Sequence, residues 1–131
     1  MVIPQAAVFE IQRKGSSHPA ALALAQAAWL VEVHPGPVPS NVSAFGLGQG
    51  ETAVIAHALS NPGSGAIVDD QAARNAAAAL GIPRQGTLGV IISAKSKGLI
   101  QSARPVLEQL RQSGMYLSDG VMNQALSQVG E

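Results

Sequence analysis

The chain has no cysteine. That excludes disulfides, a thiolate metal site and a cysteine nucleophile, and it suits a reducing, cytoplasmic setting. It has no excess charge of either sign, because eight Lys and Arg balance eight Asp and Glu. A nucleic-acid binder usually shows basic excess, so net charge alone does not point to one. No apolar run approaches the roughly 20 residues of a membrane span, and no membrane partner is expected. The opening MVIPQAAVFEI lacks a basic segment followed by a long apolar run, so no signal peptide is expected. There is no internal repeat and no low-complexity tail. At 131 residues the chain is the size of one domain, expected to span 1–131, with room for a core that needs no staples.

What is there alternates. Val2-Ile3 before Pro4 is a short strand candidate, and Gln5 to Lys14 carries apolar residues at near-helical spacing. Ser17-His18-Pro19 is a helix entry, since proline is tolerated in the first turn. The alanine- and leucine-rich run Ala20 to Ala28 reads as helix. Trp29 to Val33 reads as a strand ending at His34-Pro35. Residues 35–50 hold Pro35, Pro37, Pro39, Gly46, Gly48 and Gly50 and read as a loop, with a short turn near Val42 to Phe45. Glu51 opens the helix ETAVIAHALS, which closes at Asn61-Pro62-Gly63.

The stretch AIVDDQAARNAAAALG, residues 66–81, is the centre of the pattern. A buried strand, Ala66 to Val68, ends in Asp69 and Asp70, and a helix runs from Gln71 to Leu80. Ile82 to Gly86 is a connection. Thr87 to Ile92 fits either a buried strand or the start of a buried helix, and SAKSKG after it favours helix with a stop at Gly98. Helices are expected over Ser102 to Gln112 and Gly120 to Gln128, the latter capped by Ser118-Asp119. Strands alternating with helices imply an α/β fold with a parallel sheet covered on both faces.

Four acids stand at element ends: Glu10, Glu51, Asp69 and Asp70. In open α/β sheets ligands bind outside the carboxyl ends of strands. Mg²⁺ and Mn²⁺ prefer hard oxygen ligands, and a few carboxylates with waters suffice. Such a cluster without a cation would repel itself. Each acid also has a structural reading: Glu51 in a first helical turn, Asp70 as a helix cap, Glu10 as a solvated helix residue. GLGQG, residues 46–50, fits neither the dinucleotide fingerprint nor a P-loop and reads as a flexible loop delivering Glu51. His18, His34 and His57 lack metal-ligand spacing and read as structural. No G-x-S-x-G elbow supports a serine triad. From Gln71 to Arg111 six basic residues face one acid, Glu108. These are either scattered solvated charge or a weak basic face.

The segments VIPQAAVFEI, GLGQGETAVIAHAL, AIVDDQAARNAAAALG, GTLGVIISAKSKGLI and ARPVLEQLRQSGMYLSDGVMNQAL, in this order, resemble a prokaryotic group of PIN-like domains, predicted nucleic-acid-binding proteins related to VapC-type toxins. The resemblance covers nearly the whole chain, and GTLG…AK..G.I is its most specific part. It implies a three-layer α/β/α sandwich with a parallel sheet, and a Mg²⁺- or Mn²⁺-dependent ribonuclease, the toxin of a toxin–antitoxin pair. By position, Glu10, Glu51, Asp69 and Asp70 look like metal ligands and catalytic acids. Thr87 falls where many PIN domains place a polar group near the site. Arg74, Lys95 and Lys97 are candidates for contact with the RNA backbone. PIN domains begin with a strand ending in Asp, and here no Asp precedes Glu10. The chain therefore reads as N-terminally truncated, with weak or no activity expected. An upstream start, a degenerate homologue, or replacement of the strand by a neighbouring chain each explain this. A homodimer and an antitoxin are the expected protein partners. The alternative is a non-catalytic module on the same scaffold that binds RNA or a protein.

Overall fold

The computed structural model describes residues 1–34 and 36–131. Pro35, part of the expected proline loop, lies outside the described residues. The chain forms two compact units, Met1–Arg84 and Gln85–Glu131.

The first unit runs β1 (Val2–Pro4), α1 (Gln5–Gln12), α2 (Pro19–Gln26), β2 (Val31–Val33), α3 (Ser40–Ser43), α4 (Gln49–Ser60), β3 (Ala66–Ile67) and α5 (Gln71–Ala79), and it ends entering β4 (Arg84–Gln85). β1 and β2 pair in parallel, with Val2 opposite Val31 and Pro4 opposite Val33. β3 and β4 form a second pair, joined by Ala66 N–H donating to the Pro83 carbonyl at 2.8 Å. The α/β class and the parallel pairing are therefore present. The strands are shorter than expected, and among the described residues they form two two-stranded ribbons instead of one sheet. Burial follows from this. Ala66 and Val68 are buried, but Ile67 between them is 42% exposed, as are Val2 (46%) and Val31 (56%). An isolated ribbon packed on helices has one inner face, so alternate residues meet solvent.

α4 is the hub of the unit, packing on α1, α3, α5, β1 and β3. Ile55 is fully buried and Ala53, Ala56 and Ala58 nearly so. Small side chains let neighbouring elements approach its axis closely. Val42, in the proline loop, is also fully buried; α3 forms there because the core needs an apolar plug over α4. α5 is capped by Asp70, whose carboxylate accepts the Ala73 N–H at 3.0 Å. It stops where Gly81 takes φ +70°, a left-handed conformation that returns the chain toward Ile82. His18 caps α2 through Nδ1, accepting from Ala20 N–H at 3.2 Å.

The second unit holds α6 (Thr87–Ser96), α7 (Arg104–Gln112) and α8 (Asp119–Ser127). The segment from Thr87 is thus helix, stopped by Gly98 at φ +71°. Leu107 and Leu126 centre a core with Ile91, Leu117 and Met122. Ser118 caps α8, accepting from Val121 N–H. The exposed Arg111–Asp119 pair at 2.6 Å adds at most about 1 kcal/mol. Glu131 clasps the start of α7: its carboxylate accepts from the Ser102 hydroxyl and from the Ala103 N–H at 2.7 Å.

Two outcomes follow. Leu107→Ala removes a fully buried side chain and should cost about 2–5 kcal/mol, read by urea unfolding. The backbone N–H of Ala103, then the Ser102 hydroxyl, hold the Glu131 carboxyl below the usual carboxylate range. A carboxyl lowered on folding contributes stability above its unfolded pKa, lost as pH falls through its folded pKa. The protection of the Ala103 and Arg104 amides relative to their intrinsic exchange rates should therefore fall on acidification below the ordinary carboxylate range, and Glu131→Gln should flatten that acid dependence.

Candidate active site

The site is built at the start of α4. Gln49 is the first helical residue, so the glycines of GLGQG straddle the helix start instead of forming only a loop. The first N–H groups of a helix have no partner within it, and the aligned peptide dipoles make that end partly positive. Two carboxylates are drawn there. Glu51, in the first turn, turns back and accepts from the Gly48 N–H at 3.0 Å. Glu10, near the end of α1, crosses to α4 and accepts from the Gly50 N–H at 2.9 Å.

Glycine is required for this approach. A Cβ on Gly50 would stand 2.5 Å from Glu10 Oε2 and 3.0 Å from its Cδ. A Cβ on Gly48 would stand 2.9 Å from Glu51 Oε2 and 3.9 Å from Glu10 Oε1. Both acids therefore flank the same point beside Gly48, although they are 41 positions apart in the chain. Glu10 is exposed and Glu51 half-buried, so water reaches the pair.

The other predicted residues fall elsewhere. Asp70 is the cap of α5. Asp69 is exposed and engaged in an interaction of its own. Among the described residues, no group of three or more His, Cys, Asp or Glu side chains is placed to hold a metal ion. The structure thus brings Glu10 and Glu51 together without gathering Asp69 and Asp70 into the same ligand set. Arg74 is half-buried on α5. In the second unit, Thr87 is the first residue of α6 and makes an interaction of its own. Lys95 there donates to the Gln101 carbonyl, and Lys97 is exposed just past α6.

Chemically, the Glu10–Glu51 pair offers hard oxygen donors. Mg²⁺ is often held by one or two carboxylates and several waters, so these two residues fit a hydrated divalent cation but not a closed cage. Sequence reasoning found both acids but missed why they meet. The signal was the glycine spacing before Glu51: two glycines at alternate positions leave room for a side chain on either side of Gln49.

Gly50→Ala tests the arrangement. The added methyl would displace Glu10, losing a charge-assisted hydrogen bond worth about 1.5–3 kcal/mol when fully buried and less here, where it is part-buried. Alanine returns up to about 1 kcal/mol of helix propensity. Global stability should then change by only about 1 kcal/mol, while the Gly50-position amide loses its protection from hydrogen exchange, as NMR would show.

Comparison with known proteins bears on this arrangement. Neither the curated proteins nor the solved structures contain a match to the chain. A family profile, DUF3368, described as a PIN domain, matches residues 1–131. The match runs through both units, from β1 to the end of α8. With mixed strands and helices, parallel β1–β2 pairing and two acids meeting at the start of a helix, the chain belongs to the PIN-domain family.

Proposed function

We propose that this chain is a divalent-metal-dependent ribonuclease of PIN type with an incomplete acidic site, giving weak or no cleavage, and that it acts as the toxin of a toxin–antitoxin pair. The family supports a nuclease-type scaffold. The observation that carries the rest is the meeting of Glu10 and Glu51 beside Gly48. A bound Mg²⁺ or Mn²⁺ would activate water and stabilise charge on the phosphate. Glu10 and Glu51 would hold that cation, each with one oxygen on a backbone N–H that fixes its direction. Asp69 or Asp70 would act through water. Arg74, Lys95 and Lys97 are proposed to meet phosphates, with Lys95 the weakest candidate because its ammonium already serves the Gln101 carbonyl. RNA is the proposed substrate, an antitoxin protein and a second copy of the chain the proposed partners, and the cytoplasm the proposed setting. Among the described residues no helix is long and apolar enough to cross a membrane.

A second reading rests on a specific observation. Glu10, Glu51 and Asp70 each already accept a backbone N–H, and no three acids form a ligand group among the described residues. A scaffold that uses its acids as helix clamps would bind RNA or a protein without cutting it.

The test compares the chain with Glu10→Gln, Glu51→Gln and Asp70→Ala on single-stranded RNA with Mn²⁺, alongside Mn²⁺ calorimetry. Slow cleavage abolished by chelator, and reduced at least about tenfold in Glu10→Gln and Glu51→Gln, is the expected result; removing one charged metal ligand costs well over the 1.4 kcal/mol of a tenfold effect. Asp70→Ala also loses a cap worth about 1 kcal/mol, so its stability is measured first. Equal cleavage by all four proteins removes the enzyme reading for these residues. Intact Mn²⁺ binding without any cleavage favours a degenerate enzyme, and neither Mn²⁺ binding nor cleavage favours the non-catalytic module.

A further inference from the structure

A pocket of about 220 Å³ lies in the first unit between the carboxyl end of β2 and the last turn of α4. His34, the first residue past β2, lines one side of it. His57 and Ser60 of α4, and Asn61 at the helix cap, line the other. Residues three and four apart share a helix face, so these three stand together although His34 is 23 positions earlier in the chain. Ala56 adds only a methyl group to the wall and leaves the space open. His34 is exposed and His57 half-buried. Among the described residues neither imidazole has a hydrogen-bond or ion-pair partner, unlike His18, whose Nδ1 caps α2. Asn61 Nδ2 donates to the His57 carbonyl at 2.8 Å, so its Oδ1 remains as an acceptor.

We infer that this pocket is a site for a divalent transition-metal ion of the Zn²⁺ class, held by the imidazoles of His34 and His57 together with water. The lining selects that chemistry. Imidazole nitrogen suits Zn²⁺, Ni²⁺ and Cu²⁺, whereas Mg²⁺ and Ca²⁺ call for carboxylate oxygen, and the lining holds no Asp or Glu. The end of α4 favours a cation over an anion, because the last carbonyls of a helix lack partners within it and carry partial negative charge. The lining also holds no Lys or Arg, so a phosphate would meet that negative end without a fixed positive charge to offset it. Liquid water occupies about 30 Å³ per molecule, so the pocket has room for an ion and several waters. Among the described residues no third His, Cys, Asp or Glu joins the pair. The Ser60 hydroxyl and Asn61 Oδ1 are the other donors in the wall, and water completes the coordination. A bound ion would tie the end of β2 to α4 and stabilise the folded unit by mass action. The site is separate from the Glu10–Glu51 pair: Glu51 and His57 are six positions apart, about 9 Å along the helix, and present different donor atoms. The inference does not depend on whether those acids cleave RNA.

The ¹⁵N-labelled full chain would be titrated with Zn²⁺ in excess Mg²⁺, which competes for sites built of hard oxygen. Binding would be followed by the imidazole nitrogen signals and by thermal unfolding. Saturable binding of one ion per chain is expected, shifting the rings of His34 and His57 together and raising the unfolding midpoint. His34→Gln and His57→Gln should each weaken binding at least about tenfold, since each removes one of two nitrogen ligands. His18→Asn keeps a helix cap and should bind Zn²⁺ within about twofold of the unaltered chain. His34 is exposed, so its variant decides the matter if His57→Gln does not fold. Unchanged binding by His34→Gln, shifts centred on His18 or on Glu10 and Glu51, a shift of one ring alone, or no saturable binding would overturn the proposal. So would inorganic phosphate that saturates the same two rings where Zn²⁺ does not.

Discussion

The hydrogen bond from the Gly50 N–H to the Glu10 carboxylate ties together features that are otherwise separate. It links α1 to the helix on which β1, β3, α3 and α5 all pack. It answers a donor that the helix cannot satisfy itself. It also brings Glu10 beside Glu51, two like charges that a folded chain would ordinarily keep apart. The partly positive end of α4 offsets some of their repulsion, by roughly 0.3–1 kcal/mol for each acid near a surface. The arrangement can therefore persist without a cation and still present two oxygen donors to one.

That dual character explains why family membership does not translate directly into activity. A carboxylate on a helix start serves stability, and the same carboxylate serves a metal only if others join it. Here Asp70 is spent on Ala73 at the start of α5, which puts its nearer role in folding. The scaffold keeps acids at the ends of elements, where nuclease chemistry would want them. Their hydrogen bonds nevertheless describe local structure first. A cation at Glu10 and Glu51 would have to compete with their backbone donors, so the site should need a higher metal concentration to fill than a cage of unengaged ligands.

Much of this was legible in the sequence. The cap at Asp70, the stops at Gly81 and Gly98, the entry at His18-Pro19 and the cap at Ser118 are local signals, each set by one residue's backbone or hydrogen-bonding chemistry, and each is found in the structure. Glu10 and Glu51 could be named as candidates because they stand at element ends. Their meeting was not legible, since it depends on how α1 lies across α4. The apolar run Thr87 to Ile92 has no period that decides between strand and helix; SAKSKG after it favours helix, and packing against α7 and α8 holds that state. Val42 was hidden in a proline-rich stretch whose composition signals loop, although tertiary burial makes it a core residue. Arg84–Gln85 was read as a connection, and its strand character arises from pairing with Ala66–Ile67, a partner 18 positions away.

The split of the expected sheet into two ribbons follows from the same distinction between local and distant information. A strand of two or three residues is too short to be stable by itself, so it persists only where a helix covers one face and a neighbour pairs one edge. β1 and β3 each have that minimum: α4 behind them and one partner beside them. Nothing in Val2–Pro4 or Ala66–Ile67 specifies a second partner, yet their apolar residues are those of a strand meant to be enclosed. Exposure of Val2, Val31 and Ile67 is the cost of the missing enclosure, and at about 25 cal/mol per Å² even modest coverage of those side chains would stabilise the unit by more than a surface ion pair.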